Sequence, residues 1–163
     1  FPVAARQEEQ QPNFAVPNYI EPLPQAEKSL AGTRILLVED NEDSREMLKI
    51  MLQQYDLEIT AVESAAEAIE AIKRSRIDVL VSDVGLPGED GYELIRKIRK
   101  LTPEKGGLTP AIALTGYASL QDRAQALEAG YQEHLAKPVD EDKLIDLIKG
   151  LLNRNTTARR GGM

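Results

Sequence analysis

Strand and helix patterns alternate five times along this chain, which predicts a doubly wound α/β fold: a five-stranded parallel sheet of the (βα)5 type with helices on both faces. Three observations carry the prediction. The strand candidates are runs of consecutive apolar residues, as strands covered on both faces require. Between them, apolar residues recur at i, i+3, i+4 and i+7, the spacing of a helix with one buried side. The length of 163 residues, 42% of them hydrophobic, suits one domain with a single core and leaves no room for two full ones.

Residues 1–31 precede the pattern. They hold five of the nine prolines and four glutamines with almost no apolar periodicity, a composition that buries too little surface to offset the entropy of ordering. The reading is a Pro/Gln-rich disordered linker; a second reading lets Phe14, Val16, Tyr19, Ile20 and Leu23 dock on the following domain as an irregular strap. Thr33 to Val38 (TRILLV) opens the sheet, and a helical stripe through Met47, Leu48, Met51 and Leu52 follows it. Glu58 to Val62 is the second strand, with Ala65, Ala68, Ile69 and Ile72 as the next stripe. Ile77 to Ser82 is the third, followed by Leu94, Ile95, Ile98 and Leu101. Ala111 to Leu114 is the fourth, with a weaker stripe at Leu120, Ala124 and Leu127. The weaker Glu133 to Ala136 is the fifth, closed by Leu144, Leu147, Ile148 and Leu151, so the domain spans 32–153 and a flexible tail occupies 154–163.

Composition removes several classes of function. Without cysteine there is no disulfide, thiolate metal site or cysteine nucleophile, and a reducing compartment is allowed. With His134 as the only histidine, multi-histidine zinc sites are out and a Ser-His-Asp triad would have to run through that residue. A net charge of −7 has the wrong sign for nucleic-acid binding, and Arg154, Arg159 and Arg160 read as a solvated tail. No apolar run reaches the length of a membrane span, and the opening FPVAAR lacks the apolar core of a signal peptide. A soluble, cytoplasmic protein is expected.

In doubly wound sheets ligands sit outside the carboxyl ends of the strands. The first strand ends at Glu39 and Asp40, the third at Asp83, the fourth at Thr115 and Gly116, and the fifth at Lys137 and Pro138. Three converging carboxylates must be protonated, neutralised by a cation, or further apart than this reading places them. A hard divalent cation such as Mg²⁺ uses one or two carboxylates with waters and phosphate oxygens, and this set matches its demand. A hydroxyl and an ammonium on the same rim suit a phosphoryl group, with a carboxylate able to act as nucleophile. Each feature alone has a plainer reading: acidic residues after a strand cap the next helix, as Asn41 or Asp43 would too, and Lys-Pro or Thr-Gly is a common turn. Their convergence on one rim is what favours chemistry.

The segments ILLVEDNEDSREML, VLVSDVGLPGEDGYELIRKIR, IALTGYA and HLAKPVDEDKL closely resemble the receiver domain of two-component response regulators, in order and spacing, from about Thr33 to Asn153. The resemblance implies a flavodoxin-like sheet in the order 2-1-3-4-5, with Asp83 accepting a phosphoryl group from the phosphohistidine of a histidine kinase or phosphotransfer domain. It implies Mg²⁺ held by Glu39, Asp40, Asp83 and the backbone carbonyl of Gly85, with Thr115 and Lys137 beside the phosphoryl group. Pro138 matches a proline whose preceding peptide is usually cis in the family. Pro87, Gly88 and Gly91 fit the tight loop after Asp83.

Two departures stand out. His134 occupies the switch position where the family commonly has Tyr or Phe; it either rotates inward when Thr115 moves or decorates the strand edge, and both readings stand. Gly85 replaces a larger side chain and Tyr117 follows Thr115 by two positions, both beside the phosphoryl site. The expected function is phosphoacceptor signalling, with the receiver catalysing only its own phosphorylation and dephosphorylation. The linker, the absence of a starting Met and the HLAKPVDEDKL ending suggest excision from a hybrid histidine kinase, against a free-standing regulator. A haloacid-dehalogenase-like phosphatase is the alternative, though Gly85 stands where its second Asp belongs. A flavodoxin-type carrier is disfavoured because Glu39 and Asp40 would repel the flavin phosphate.

Overall fold

A computed structural model describes residues 30–86, 88–116 and 119–161, with backbone only from 155 onward. The strands and helices alternate as β1 (Arg34–Val38), α1 (Glu42–Gln53), β2 (Glu58–Val62), α2 (Ala65–Arg74), β3 (Val79–Asp83), α3 (Gly91–Arg99), β4 (Ala111–Thr115), α4 (Leu120–Ala129), β5 (Glu133–Ala136) and α5 (Glu141–Gly161). A short 3₁₀ turn, Pro103–Lys105, lies between α3 and β4. All neighbouring strands pair in parallel, in the order β2-β1-β3-β4-β5. The whole sheet lies within the unit Gly32–Met163. The linker expected over 1–31 falls almost wholly outside the described residues.

β1, β3 and β4 are the central strands, and every residue of β3 and β4 is buried. This is why their sequences carry apolar runs instead of alternation. On one face Leu36, Val38, Leu80, Ala111 and Ala113 pack with Ala68, Ile72, Leu94, Ile95, Ile98 and Tyr131. The helices begin where the sequence supplies caps. Asn41, Ser64, Asp90 and Ser119 each accept a main-chain N–H of the first turn, and Asp90 with Glu93 closes a reciprocal capping box. Among the described residues no helix is long and apolar enough to cross a membrane.

Four expectations shift. The third strand runs Val79–Asp83 and not Ile77–Ser82, because its ladder with β4 continues until Asp83 meets Leu114, so Asp83 is itself a strand residue. The Leu120, Ala124, Leu127 stripe of α4 faces outward, with Leu120 84% exposed; the helix buries Ala126 and Ala129 instead. Alanine lets the helix lie close to the sheet where leucine would hold it off. The tail expected at 154–163 continues α5 through Gly161, since no Gly or Pro between Asn153 and Arg160 interrupts the main-chain hydrogen bonds. On α1, Leu48 and Leu52 are buried whereas Met47 is exposed.

Candidate functional site

The carboxyl ends of β1 and β3 are adjacent in the sheet, and their registers bring Val38 level with Ser82, so the residues that follow share one rim. There Glu39, Asp40 and Asp83 each offer a carboxylate oxygen, and these lie within 4.8 Å of one another. Glu39 and Asp83 are buried and Asp40 is exposed. Asn41 is the cap of α1, its Oδ1 accepting from Ser44 N at 2.8 Å, so the acidic pair before it has no capping duty. Glu39 instead accepts the Asn41 N–H through Oε2 at 3.2 Å.

From β5, Lys137 reaches across the rim. Its Nζ donates to Glu39 Oε1 at 2.9 Å and lies 3.1 Å from Asp83 Oδ2. Burial raises the Glu39 carboxyl above its ordinary value, against the lowering by Lys137 and the Asn41 amide, with the Asp83 charge adding to the rise. Burial also opposes the Lys137 charge, yet its bonds to Glu39 and Asp83 leave its pKa above that of an ordinary lysine. Lys137 N–H donates to Thr115 O at 2.7 Å, which ties the end of β5 to the end of β4, where Thr115 is buried. The Lys137–Pro138 peptide is cis.

The loop after Asp83 folds back on it. Gly85 N–H donates to Asp83 Oδ1 at 3.0 Å, and Gly91 N–H donates to Val84 O at 3.0 Å. A Cβ on Gly91 would stand 2.6 Å from both the Asp83 carbonyl oxygen and Val84 Cα, so only glycine lets α3 start this close to the strand end. Gly88 has φ +75, while Pro87 and Tyr117 lie outside the described residues. His134 pairs in register with Ala113, is half-buried, and has its Nε2 buried without a hydrogen-bond partner among the described residues.

Two tethers were not read from the sequence. Tyr131, buried before β5, donates its hydroxyl to Gly91 O at 2.8 Å and so fastens the start of α3. Arg45 of α1 donates to Glu39 O at 3.0 Å and to Asp40 O at 3.4 Å. Both partners are main-chain carbonyls, which leave no mark in a sequence.

The donor set is all oxygen, which selects a hard cation. Three carboxylates face one ammonium, leaving two negative charges uncompensated, and so the residues present fit a divalent ion.

Residues 35–149 match the response regulator receiver domain. The chain belongs to that family. An uncharacterised 14.6 kDa protein of Leptolyngbya boryana is 43% identical to this receiver chain over 122 residues, 75% of it and 92% of the relative. The transcriptional regulatory protein GltR of Pseudomonas aeruginosa is 35% identical over 135 residues, 82% of this chain and 55% of that one, so the receiver spans about half of that regulator. Among solved structures, the receiver domain of sensor histidine kinase PA1611 from Pseudomonas aeruginosa superposes with a TM-score of 0.69 at 36% identity, covering 76% of this chain and 99% of that one; it holds a magnesium ion in its active-site cleft. Receiver domains interact with histidine kinases or phosphotransfer proteins, and phosphoacceptor signalling is the function of this one. The haloacid-dehalogenase-like alternative finds no support.

Proposed function

We propose that Asp83 is the phosphoacceptor, served by Mg²⁺ at Glu39, Asp40, Asp83 and the Gly85 carbonyl, in a cytoplasmic receiver module of residues 32–153. One observation carries the reading: a single ammonium, Lys137 Nζ, stands within hydrogen-bond distance of both the buried Glu39 and Asp83. When bound, the cation neutralises the carboxylates and polarises the phosphoryl oxygens. An Asp83 carboxylate oxygen attacks phosphorus, the O–P bond forms as the P–N bond of the donor phosphohistidine breaks, and the imidazole leaves with that electron pair. Lys137 holds the nucleophile and meets the negative charge that builds on the transferring oxygens. Thr115 supplies its hydroxyl to the new phosphoryl group, and the space vacated behind it admits His134, carrying the change to the surface near α4 and β5. The donor is a histidine kinase or phosphotransfer domain, and the module reports to an adjoining domain or separate effector.

The test is intact-mass analysis after incubation with a small acyl phosphate and Mg²⁺. Wild type gains the mass of one phosphoryl group and Asp83→Asn gains none; label retained in Asp83→Asn overturns the assignment. Thr115→Ala is still phosphorylated and signals less.

A further inference from the structure

We infer that Arg45 is a positioning residue for the acidic pair, fixing the main chain that aims Asp40 at the cation site; this rests on the Mg²⁺ site proposed above. Glu39 needs no such help, because its carboxylate is held on both oxygens, by Lys137 Nζ and by Asn41 N–H. Asp40 differs. Its side chain is exposed and has no hydrogen bond among the described residues, so the backbone sets the Cα–Cβ direction from which its rotamers can reach the site. That backbone lies between two carbonyls, Glu39 O and Asp40 O, and the guanidinium of Arg45 donates to both, at 3.0 and 3.4 Å through Nη1. The arm is itself braced. Its side chain is 21% exposed, its stem rises from α1, and Nη2 lies 4.0 Å from Glu63 Oε2 just past the end of β2. Arg45 thus joins the loop after β1 to α1 and to the neighbouring strand, using donors in a rigid planar fork.

Charge and position predict opposite outcomes, which makes the inference testable. As a bare cation near three carboxylates, Arg45 would repel a second cation, and its removal would tighten Mg²⁺ binding. As a positioning residue it preorganises a ligand, and its removal loosens binding by about tenfold, the usual size for a group that orients a metal ligand. Mg²⁺ is titrated into the full chain and into Arg45→Gln, Arg45→Lys and Glu63→Gln, following backbone amide shifts by NMR, with melting temperatures recorded in parallel. The expected result is about tenfold weaker binding for Arg45→Gln, a smaller loss for Arg45→Lys, whose ammonium reaches one carbonyl, and a slight loss for Glu63→Gln, which removes only the 4.0 Å brace. In the metal-free protein, order parameters of Asp40 and Asn41 fall in Arg45→Gln while those of β1 hold. Unchanged or tighter binding in Arg45→Gln overturns the inference. Should that variant not fold, Arg45→Lys decides: wild-type affinity in it overturns the inference equally. A wild-type protein without Mg²⁺ shifts overturns the metal site itself. Loss of binding in Asp40→Asn beside retention in Arg45→Gln overturns the role of Arg45 alone.

Discussion

Lys137 Nζ donates to Glu39 Oε1 at 2.9 Å, joining the last strand of the sheet to the rim of the first. The same nitrogen stands 3.1 Å from Asp83. A single side chain from the sheet edge therefore holds down two buried carboxylates that would otherwise repel each other.

Removing it has a cost that Mg²⁺ relieves. Lys137→Met leaves Glu39 buried without its cation, and the metal-free protein loses about 1–2 kcal/mol at neutral pH, a figure reduced because the lysine side chain is 32% exposed. Urea denaturation in EDTA and again in Mg²⁺ checks this, the deficit shrinking in Mg²⁺. Equal loss in both media would show that the lysine supports the fold independently of the acidic cluster. In wild type the lysine's contribution is complete below its ordinary pKa of 10.5 and disappears as pH rises through its higher folded value.

Glu39 gives a dependence of the same sign at the acid end. Its folded pKa is raised by burial, so the native state binds a proton more readily than the unfolded chain. Its favourable contribution is thus present below the ordinary value of 4.5 and is lost as pH rises through the elevated folded value. Against wild type in EDTA, Glu39→Gln grows relatively more stable across that interval. A stability difference that does not vary with pH there would remove Glu39 from the account.

Gly91→Ala tests the closeness of α3 to the strand end. The added methyl meets the Asp83 carbonyl and Val84 Cα at 2.6 Å, and both are main chain, so the loop must shift. A destabilisation of about 1–3 kcal/mol with slower uptake of phosphate from an acyl phosphate is expected. Phosphorylation at the wild-type rate would mean that the loop yields without moving Asp83.

His134 offers a single-residue probe of switching. Its Nε2 is buried without a partner among the described residues, an arrangement that is costly to keep and inexpensive to leave. Movement of the ring into the space behind Thr115 in the phosphorylated state changes its surroundings, so its NMR ring shifts move on adding a phosphoryl mimic such as beryllofluoride with Mg²⁺. Spectra of the one histidine with and without the mimic read this. Identical ring shifts in both states make it a bystander.

Much of this was legible in the residues themselves. Buried strands announce themselves through uninterrupted apolar runs, and Glu39, Asp40, Asp83 and Thr115 sit at or just beyond the ends of such runs. What stayed hidden has a common physical character. Arg99 donates to the carbonyls of Gly107, Thr109 and Gly130 and to Gln132 Oε1, pinning the turn before β4 to the turn before β5, yet in sequence it is one basic residue at a helix end. Arg45 and Tyr131 likewise spend their donors on main-chain carbonyls, whose positions only the folded chain defines. The outward turn of α4 escaped for another reason. Its leucines suggest one face and its alanines another, and close approach to the sheet favours the smaller residues.

That seating of α4 governs where this domain is compliant. The core-facing contribution of Ala126 and Ala129 is about 1–2 kcal/mol of apolar burial, whereas Leu94, Ile95 and Ile98 commit α3 to about 5–8 kcal/mol. Leu120, already in solvent, loses nothing when its helix slides. A perturbation of a few kcal/mol at the strand ends is therefore absorbed by displacement of the loosely seated helix, while the firmly seated one behaves as the frame against which it moves.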